Sequence, residues 1–446
     1  MNLVAFSIRT KGLSNFSRRL WTVFTRFGVT PGPTRRALFS IVDGLRRYDA
    51  APTFFIPATV LRRNPGVIAE VAGSGAEIGV HGYVHNDYRS LTRTAQLEQT
   101  RRAISVFDDV KMPHHGFRNP YLGWTEDSVG VFAELGFAYD SNEAVLHDVI
   151  DTAALAPAIR DGYEKSLALF QAIPCSRYTL RPHIEGALVR VPTSIPDDEM
   201  LFDRLRLTDA GQVGAIWSVV LRRVYILGGI YTLNLHPERG ILCRAALDAL
   251  LATASAQPLP VWIARIGDVA GWWRERRATT LTVTPDGAGR WCVAVNGSPR
   301  ASVLARGVAV VGTPAEEWGD DLLRIAARDF TVEAERAPVV AVTARTPDEV
   351  RDFLAEQGYP VVTVVTASDD DDHNSACVVD LPGGLGATRA EQIARRAALV
   401  DQVEGSAAPL VRLALWPNRY HAALAVSGDI DSITVQDFFL RILEVR

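Results

Sequence analysis

Cysteine is scarce in this 446-residue chain: Cys175, Cys243, Cys292 and Cys377 lie far apart and form no CxxC pair. That spacing excludes a zinc knuckle and a disulfide framework, so the four read as reduced, largely buried thiols. Long apolar runs are also missing. Charges or glycines interrupt every candidate, including Val224–Leu233, short of the ~20 residues that a membrane-spanning helix needs. The opening Met1–Arg9 run is shorter than the core of a secretory signal, ~7–15 residues, and reads as a strand, so a soluble, cytoplasmic protein is expected. There is no basic excess either. A net charge of −4 offers nucleic acid no field to bind, and partners must be recognised locally.

What the chain does have is apolar content, 48% hydrophobic against 22% charged residues. That composition excludes a disordered chain, and at ~100–200 residues per domain the length predicts two or three units. Over 1–275, short apolar runs alternate with amphipathic stretches, the pattern of a parallel β/α architecture. The strand candidates are Leu3–Ile8, Thr53–Ile56, Glu77–Val80, Gly116–Pro120, Phe137–Asp140, Leu188–Pro192, Tyr231–Leu235 and Pro260–Ile266. Helices are expected at Thr34–Tyr48, with Thr34 as N-cap, at Leu97–Phe107 and at Ser128–Leu135. Polar residues cluster just after the strands, where β/α barrels build their sites.

Beyond Trp272-Trp273-Arg274 the texture changes to short alternating runs with turns at Asp286-Gly287 and Asn296-Gly297, the signature of antiparallel strands. This defines a β-rich linker domain, 276–335. In 336–446, Val339–Thr343, a helix over Pro347–Gly358 and Val361–Val365 make a βαβ-like unit, and Asp369–Asp372 reads as a solvated acidic loop. The last segment, 421–446, gives a strand, an acidic turn and an amphipathic helix from Thr434.

The chemistry-bearing residues begin with His81-Gly82-Tyr83-Val84-His85 after the third strand candidate. A spacing of four brings both imidazoles to one side if the segment turns helically, and neutral imidazoles suit divalent zinc and similar ions. Downstream come Arg118-Asn119-Pro120-Tyr121, Tyr139-Asp140-Ser141 and Leu233-Asn234-Leu235-His236-Pro237. Together with Thr53-Phe54-Phe55-Ile56-Pro57, their order and spacing resemble the NodB-type polysaccharide deacetylases, carbohydrate esterase family 4, over about residues 1–275. Pro192-Thr193-Ser194-Ile195-Pro196-Asp197-Asp198-Glu199 is similar to a loop in some members of that family.

The resemblance implies a distorted (β/α)7-type barrel, followed here by the smaller β-rich and α/β regions. It implies a metal-dependent hydrolase that removes an N-acyl group, acetyl or formyl, from an amino sugar, glycolipid or polysaccharide precursor. It further implies a divalent metal, zinc first with cobalt, manganese or nickel as alternatives, held by His81, His85 and an aspartate. His236 would be the general acid, Arg118 would orient the base and Asp140 would orient and charge His236. Tyr121 would lie at the substrate with its amide near the developing oxyanion. Trp124 and Asp198 are further expected substrate contacts, and Tyr83 and Tyr88 could stack on a sugar ring.

The family's first motif, a strand ending Thr-Phe-Asp-Asp-Gly, supplies the base and the third ligand. Here the opening strand runs Phe6-Ser7-Ile8-Arg9-Thr10-Lys11-Gly12. Arginine cannot act as a base and threonine is a poor divalent-ion ligand. At the other end of the chain, Val426-Ser427-Gly428-Asp429-Ile430-Asp431 resembles that motif in its Ser-Phe-Asp-Val-Asp form, with glycine for phenylalanine. Residues two apart in an extended segment face one side, so Asp429 is expected as base and Asp431 as ligand, or the reverse. Three alternatives stand beside this: Asp429 and Asp431 could cap the helix near Thr434, the segment could be the vestige or beginning of another deacetylase-like domain, or the barrel could be a glycan-binding scaffold with Arg9 at the metal position.

Overall fold

The computed structural model describes residues 26–319, 321–365 and 375–444. The expected strand Leu3–Ile8, Arg9, Thr10 and the Asp369–Asp372 loop fall outside those residues. A 12-stranded sheet forms the main body. Its strands are β1 (Thr53–Ile56), β2 (Glu77–Val80), β3 (Gly116–Phe117), β4 (Tyr139–Asp140), β5 (Ala144–Leu146), β6 (Ile173–Pro174), β7 (His183–Glu185), β8 (Leu188–Arg190), β9 (Thr193–Ile195), β10 (Ile230–Leu235) and β11 (Val261–Ile263), with one more from the far end of the chain.

The strands between are β12 (Thr280–Pro285), β13 (Arg290–Asn296), β14 (Val303–Arg306), β15 (Ala309–Val311), β16 (Glu316–Glu317), β17 (Leu323–Ile325), β18 (Asp329–Glu333), β19 (Ala337–Thr343), β20 (Val361–Val364), β21 (Ser375–Val379) and β22 (Leu410–Leu413). They build two four-stranded antiparallel sheets, β12-β13-β18-β15 and β16-β17-β14-β22, and a parallel β20-β19-β21 sheet. The expected boundary at 335/336 is not a structural one, because β14 pairs antiparallel with β22 across it. That pairing closes one sheet from both expected units.

The twelfth strand of the main sheet is β23 (Ala422–Asp429). The order is β6-β5-β9-β10-β23-β1-β2-β3-β4-β8-β7, with β11 also paired to β23. All pairings are parallel except β7 with β8. Right-handed strand twist curls such a sheet into the distorted β/α barrel expected of the sequence. Strand β23 sits near its centre, and all eight of its residues are buried. A near-continuous apolar run, Ala422 to Val426, is what a parallel strand covered on both faces requires.

Glycine at 428 has a packing reason. A Cβ there would lie 3.0 Å from the Leu235 carbonyl oxygen and 3.1 Å from the Phe54 ring. Phe54 occupies the space that a side chain at 428 would need.

Helices cover the outer face. The first of the expected helices runs Gly32–Arg46, two residues ahead of the expected start, because Pro33 suits a first helical turn. Thr34 is therefore no N-cap: it lies inside the helix and its hydroxyl donates to the Ile433 carbonyl at 2.7 Å. The other two expected helices are found at Arg93–Asp109 and Glu126–Glu134. The inner face of β1, β4 and β23 packs on a second core. There Phe55, Tyr139, Ala423 and Ala425 meet Trp272, Trp273, Trp416 and the antiparallel strands.

The terminal helix, Val435–Glu444, is not capped by Asp429 or Asp431. Asp437 accepts from the amides of Ile433 and Thr434, while the Thr434 hydroxyl accepts from the Asp437 amide. This reciprocal pair satisfies the helix start and leaves both earlier aspartates free for the barrel mouth.

Candidate active site

The candidate residues converge at the carboxyl ends of the central strands, and backbone pairing puts them there. The amide of His81 donates to Ile56, that of Arg118 to Val80 and that of Ile430 to Phe55, extending the ladder by one residue past each strand. Asp429 stands opposite Phe55, and Gly428 opposite Leu235. The register thus sets Asp429 level with His236 at the end of the adjacent β10, and His81, at the end of β2, two residues further along, level with Asp431.

The His81–His85 segment is not helical, contrary to the spacing argument. It is an irregular loop in which Gly82 adopts φ +83°, and a Cβ there would approach the Val84 carbonyl to 2.9 Å. The left-handed glycine turns the chain so that the two imidazole centroids lie 5.3 Å apart.

Asp431 completes a triad. Its Oδ1 lies 3.5 Å from His81 Nε2 and 3.2 Å from His85 Nε2, although it comes 346 residues after His85 in the chain. Tetrahedral ligands ~2.1 Å from zinc stand roughly 3.4 Å apart, so these distances fit a divalent ion. Two further observations support the fit. His81 Nδ1 bonds the Arg118 carbonyl at 2.7 Å, leaving Nε2 bare toward the cavity, as ligand histidines require. Asp431 Oδ1 is buried with no hydrogen-bond partner among the described residues.

Electrostatics agree. Burial lowers the pKa of His85 despite Asp431 beside it, which keeps the ring neutral. Burial would push the Asp431 carboxyl up, but with His85 neutral the Arg441 guanidinium still holds it below the usual carboxylate range. Arg441, on the terminal helix, pairs with the other Asp431 oxygen. Ligation needs both states, a neutral imidazole and an ionised carboxylate.

Asp429 is held beside this triad by groups on other strands. Arg118 Nη1 donates to Asp429 Oδ1 at 3.2 Å and Asn234 Nδ2 to Oδ2 at 2.9 Å. Arg118 is fully buried, and it also donates to Asn234 Oδ1, the Ser427 hydroxyl, the Ser141 carbonyl and hydroxyl, and Thr193. It is no surface ion-pair residue. Six acceptors, from β9, β10, β23 and Ser141 just past β4, fix its plane, and that plane fixes the carboxylate.

His236 lines the same cavity, about 50 Å³, with His81, His85, Tyr121, Asp429 and Asp431. Its partner corrects the expectation. Asp140 does not reach it: both Asp140 oxygens are taken by Arg190 at 3.0 Å, because the two residues face each other across β4 and β8. Asp198 orients His236 instead, accepting from Nδ1 at 2.7 Å and from the His236 amide at 2.8 Å. Fully buried and satisfied by those bonds, Asp198 is a positioning residue and not a substrate contact. Burial lowers the His236 pKa, yet the Asp198 charge and hydrogen bond raise it well above the ordinary histidine value. Asp197, Asp198 and His236 also cluster closely enough to suggest a metal, but these atoms are committed to one another and to the Met200 amide.

Tyr121 is 41% exposed and stands edge-on to His85, 4.6 Å between centroids. It and Leu122 hold φ near +60° and +51°, a costly backbone that clusters at functional sites. Three other aromatic expectations fail on packing. The Arg190 and Arg389 guanidinium groups lie 4.0 and 5.1 Å from the Trp124 ring, so cations occupy the ring where a sugar would stack. Tyr88 is fully buried against Phe117 and Phe132. Tyr83 carries Arg102 over its ring at 4.0 Å.

Sequence reasoning did not single out Asn234, Ser427 or Arg441. Asn234 had a signal: it lies two residues before His236 on a strand, on the same side. Arg441 had none, because helix packing alone brings it to Asp431.

Residues 29–139 match the polysaccharide deacetylase family model. The chain is 32% identical over 92 residues to a peptidoglycan deacetylase-like protein of Gibberella zeae, covering 20% of this chain and 27% of that one. It is 28% identical over 111 residues to a chitooligosaccharide deacetylase of a Bradyrhizobium strain, covering 24% and 50%. The chain thus spans between about a quarter and a half of these curated relatives. Among solved structures, a candidate polysaccharide deacetylase of Mycobacterium smegmatis aligns at 21% identity and TM-score 0.43, over 64% of this chain and 87% of that one. Over its matched segment the chain is similar to the polysaccharide deacetylase family. That segment holds His81, His85, Arg118 and Tyr121; His236, Asp429 and Asp431 lie beyond it. Among the described residues no helix is long and apolar enough to cross a membrane.

Proposed function

We propose that this protein is a metal-dependent hydrolase that removes an N-acyl group, acetyl or formyl, from an amino sugar or polysaccharide precursor. The observation that carries the reading is the meeting of the unpartnered Asp431 Oδ1 with two imidazole Nε2 atoms. His81, His85 and Asp431 would hold a divalent ion, which when bound supplies carbonyl polarisation and a more acidic attacking water.

The chain's own groups do the rest. Asp429, oriented by Arg118 and Asn234, takes the proton of the attacking water. His236, kept protonated by Asp198, donates a proton to the departing amine. The left-handed turn at Tyr121 presents a backbone amide to the developing oxyanion.

The test pairs metal content with turnover of N-acetylglucosamine oligomers. His81→Ala should lose the metal, whereas Asp429→Asn should keep it and lose at least ~10²-fold in rate, the contribution of a positioned base. Full activity and intact metal in an Asp429→Asn/Asp431→Asn double variant would sink the proposal. Saccharide binding with no acyl release from any N-acyl sugar would favour the scaffold alternative.

A further inference from the structure

At the amino ends of β10 and β23, away from the site above, the barrel meets the antiparallel strands and the helix Arg389–Glu404 around a cavity of about 490 Å³. Arg181, Arg306 and Arg412 line it with Glu404. Glu404 Oε1 lies 2.9 Å from Arg412 Nε and 3.7 Å from Arg181 Nη2, and Oε2 lies 4.0 Å from Arg306 Nη1. The Tyr359 hydroxyl also donates to Glu404, at 2.6 Å. One carboxylate is therefore shared by three guanidinium groups.

Two of the three keep an unused donor, although Arg306 gives Nη1 and Nη2 to the Glu404 and Val403 carbonyls and Arg412 gives Nη1 to that of Leu413. Arg412 is 7% exposed, and its Nε, like Arg306 Nε, is buried with no hydrogen-bond partner among the described residues. The close contact of Arg412 with Glu404 is out of line for a bond. Behind them the buried Arg276 donates to the carbonyls of Ala414, Glu356 and Gln357. Burial, then Arg181 and Arg412, pulls its pKa down to about 9. Positive charge is in excess here, and buried charge is costly unless paired. Asp321 and Asp401 also line the cavity, but both are exposed and their charge is screened by water.

We propose that this cavity binds a small phosphate monoester carried on a sugar-sized body. Arginine forks match phosphate oxygens bidentately, and three cations against one carboxylate leave room for a dianion. The volume falls in the ~300–1,000 Å³ range of small-molecule pockets and exceeds what phosphate alone would fill. Leu304, Trp318 and Tyr420 supply an apolar wall. The site shares no residue with the acyl-hydrolase site, so the two readings stand or fall separately.

Calorimetric titration of the full chain with glucose 6-phosphate, inorganic phosphate and glucose tests this. Glucose 6-phosphate should bind saturably, inorganic phosphate more weakly and glucose not at all. Arg306→Gln should weaken glucose 6-phosphate binding about tenfold or more, the loss expected for a charged hydrogen bond. Leu227→Trp adds bulk at a lining position that is 60% exposed; it should weaken binding without removing a charge, and covers the case in which Arg306→Gln misfolds. Absence of saturation at millimolar glucose 6-phosphate, equal affinity for glucose or for inorganic phosphate, or unchanged binding in Leu227→Trp would overturn the proposal.

Discussion

Replacing Asp198 by asparagine should separate the acid of the reaction from its base. The substitution keeps the shape of the side chain but removes the charge facing His236 Nδ1 at 2.7 Å. In the parent protein the His236 pKa is raised, because Asp198 outweighs a burial that by itself lowers it. Without the charge, burial acts unopposed and the pKa falls below the ordinary value. Loss of an opposite charge at this range is worth about 1–3 pH units. The alkaline limb of the rate profile, where the acid deprotonates, should therefore move ~1–3 units toward acid. At pH 8 the rate should fall on the order of 10²-fold, while the acidic limb stays in place.

The same substitution changes stability with a definite sign. A raised folded pKa means that the His236–Asp198 pair stabilises fully below the unfolded histidine value, ~6.5, and that this stability is lost as pH rises through the folded value. In Asp198→Asn the dependence reverses, since a buried neutral histidine loses stability as pH falls below ~6.5. Initial rates on an N-acetylated oligosaccharide across pH 5–10, with melting curves on the same samples, read both effects. An unmoved alkaline limb would refute the assignment of Asp198 as the group that charges His236.

Further expectations follow from packing. Trp124→Leu should cost about 1–3 kcal/mol of stability from lost packing and cation–π contacts with Arg190 and Arg389, yet leave KM for an oligosaccharide within about twofold. A large rise in KM would restore Trp124 as a sugar platform. Gly428→Phe, which matches the first-motif pattern by sequence, should destabilise by at least about 1–3 kcal/mol through overpacking against Phe54 and the Leu235 carbonyl. An unchanged urea midpoint would contradict that packing.

The alternation of apolar runs and amphipathic stretches was enough to place β1, β2 and β10 within a residue of their positions, because parallel strands covered on both faces leave a strong apolar signature. The candidate ligand pair was legible from two histidines after a strand, although a left-handed glycine and not a helical turn brings them together. The choice between Asp140 and Asp198 was not legible. It depends on Arg190 lying opposite Asp140 on β8, and cross-strand neighbours are set by register, which no local pattern encodes. Trp124 fails for a similar reason: Arg389 reaches it from a helix in the distant C-terminal region.

Placing β23 between β10 and β1 has a physical consequence for the whole molecule. Arg118 and Asp429 touch across 311 residues of chain, and contacts of such separation form only after a large loop has been closed. Until β23 inserts, β1 and β10 each present an unpaired parallel edge, and Arg118 is a buried cation without its carboxylate. The strand brings backbone pairing to both edges, a partner for Arg118 and, two residues on, the acidic member of the candidate ligand set in a single step. Sheet closure and assembly of the site are therefore one event. An ion bound by His81, His85 and Asp431 would favour that event, since binding to the closed form alone stabilises it by mass action. The Val435–Glu444 helix reinforces the coupling, because Arg441 holds Asp431 while Asp437 pairs with Arg63 behind the barrel wall.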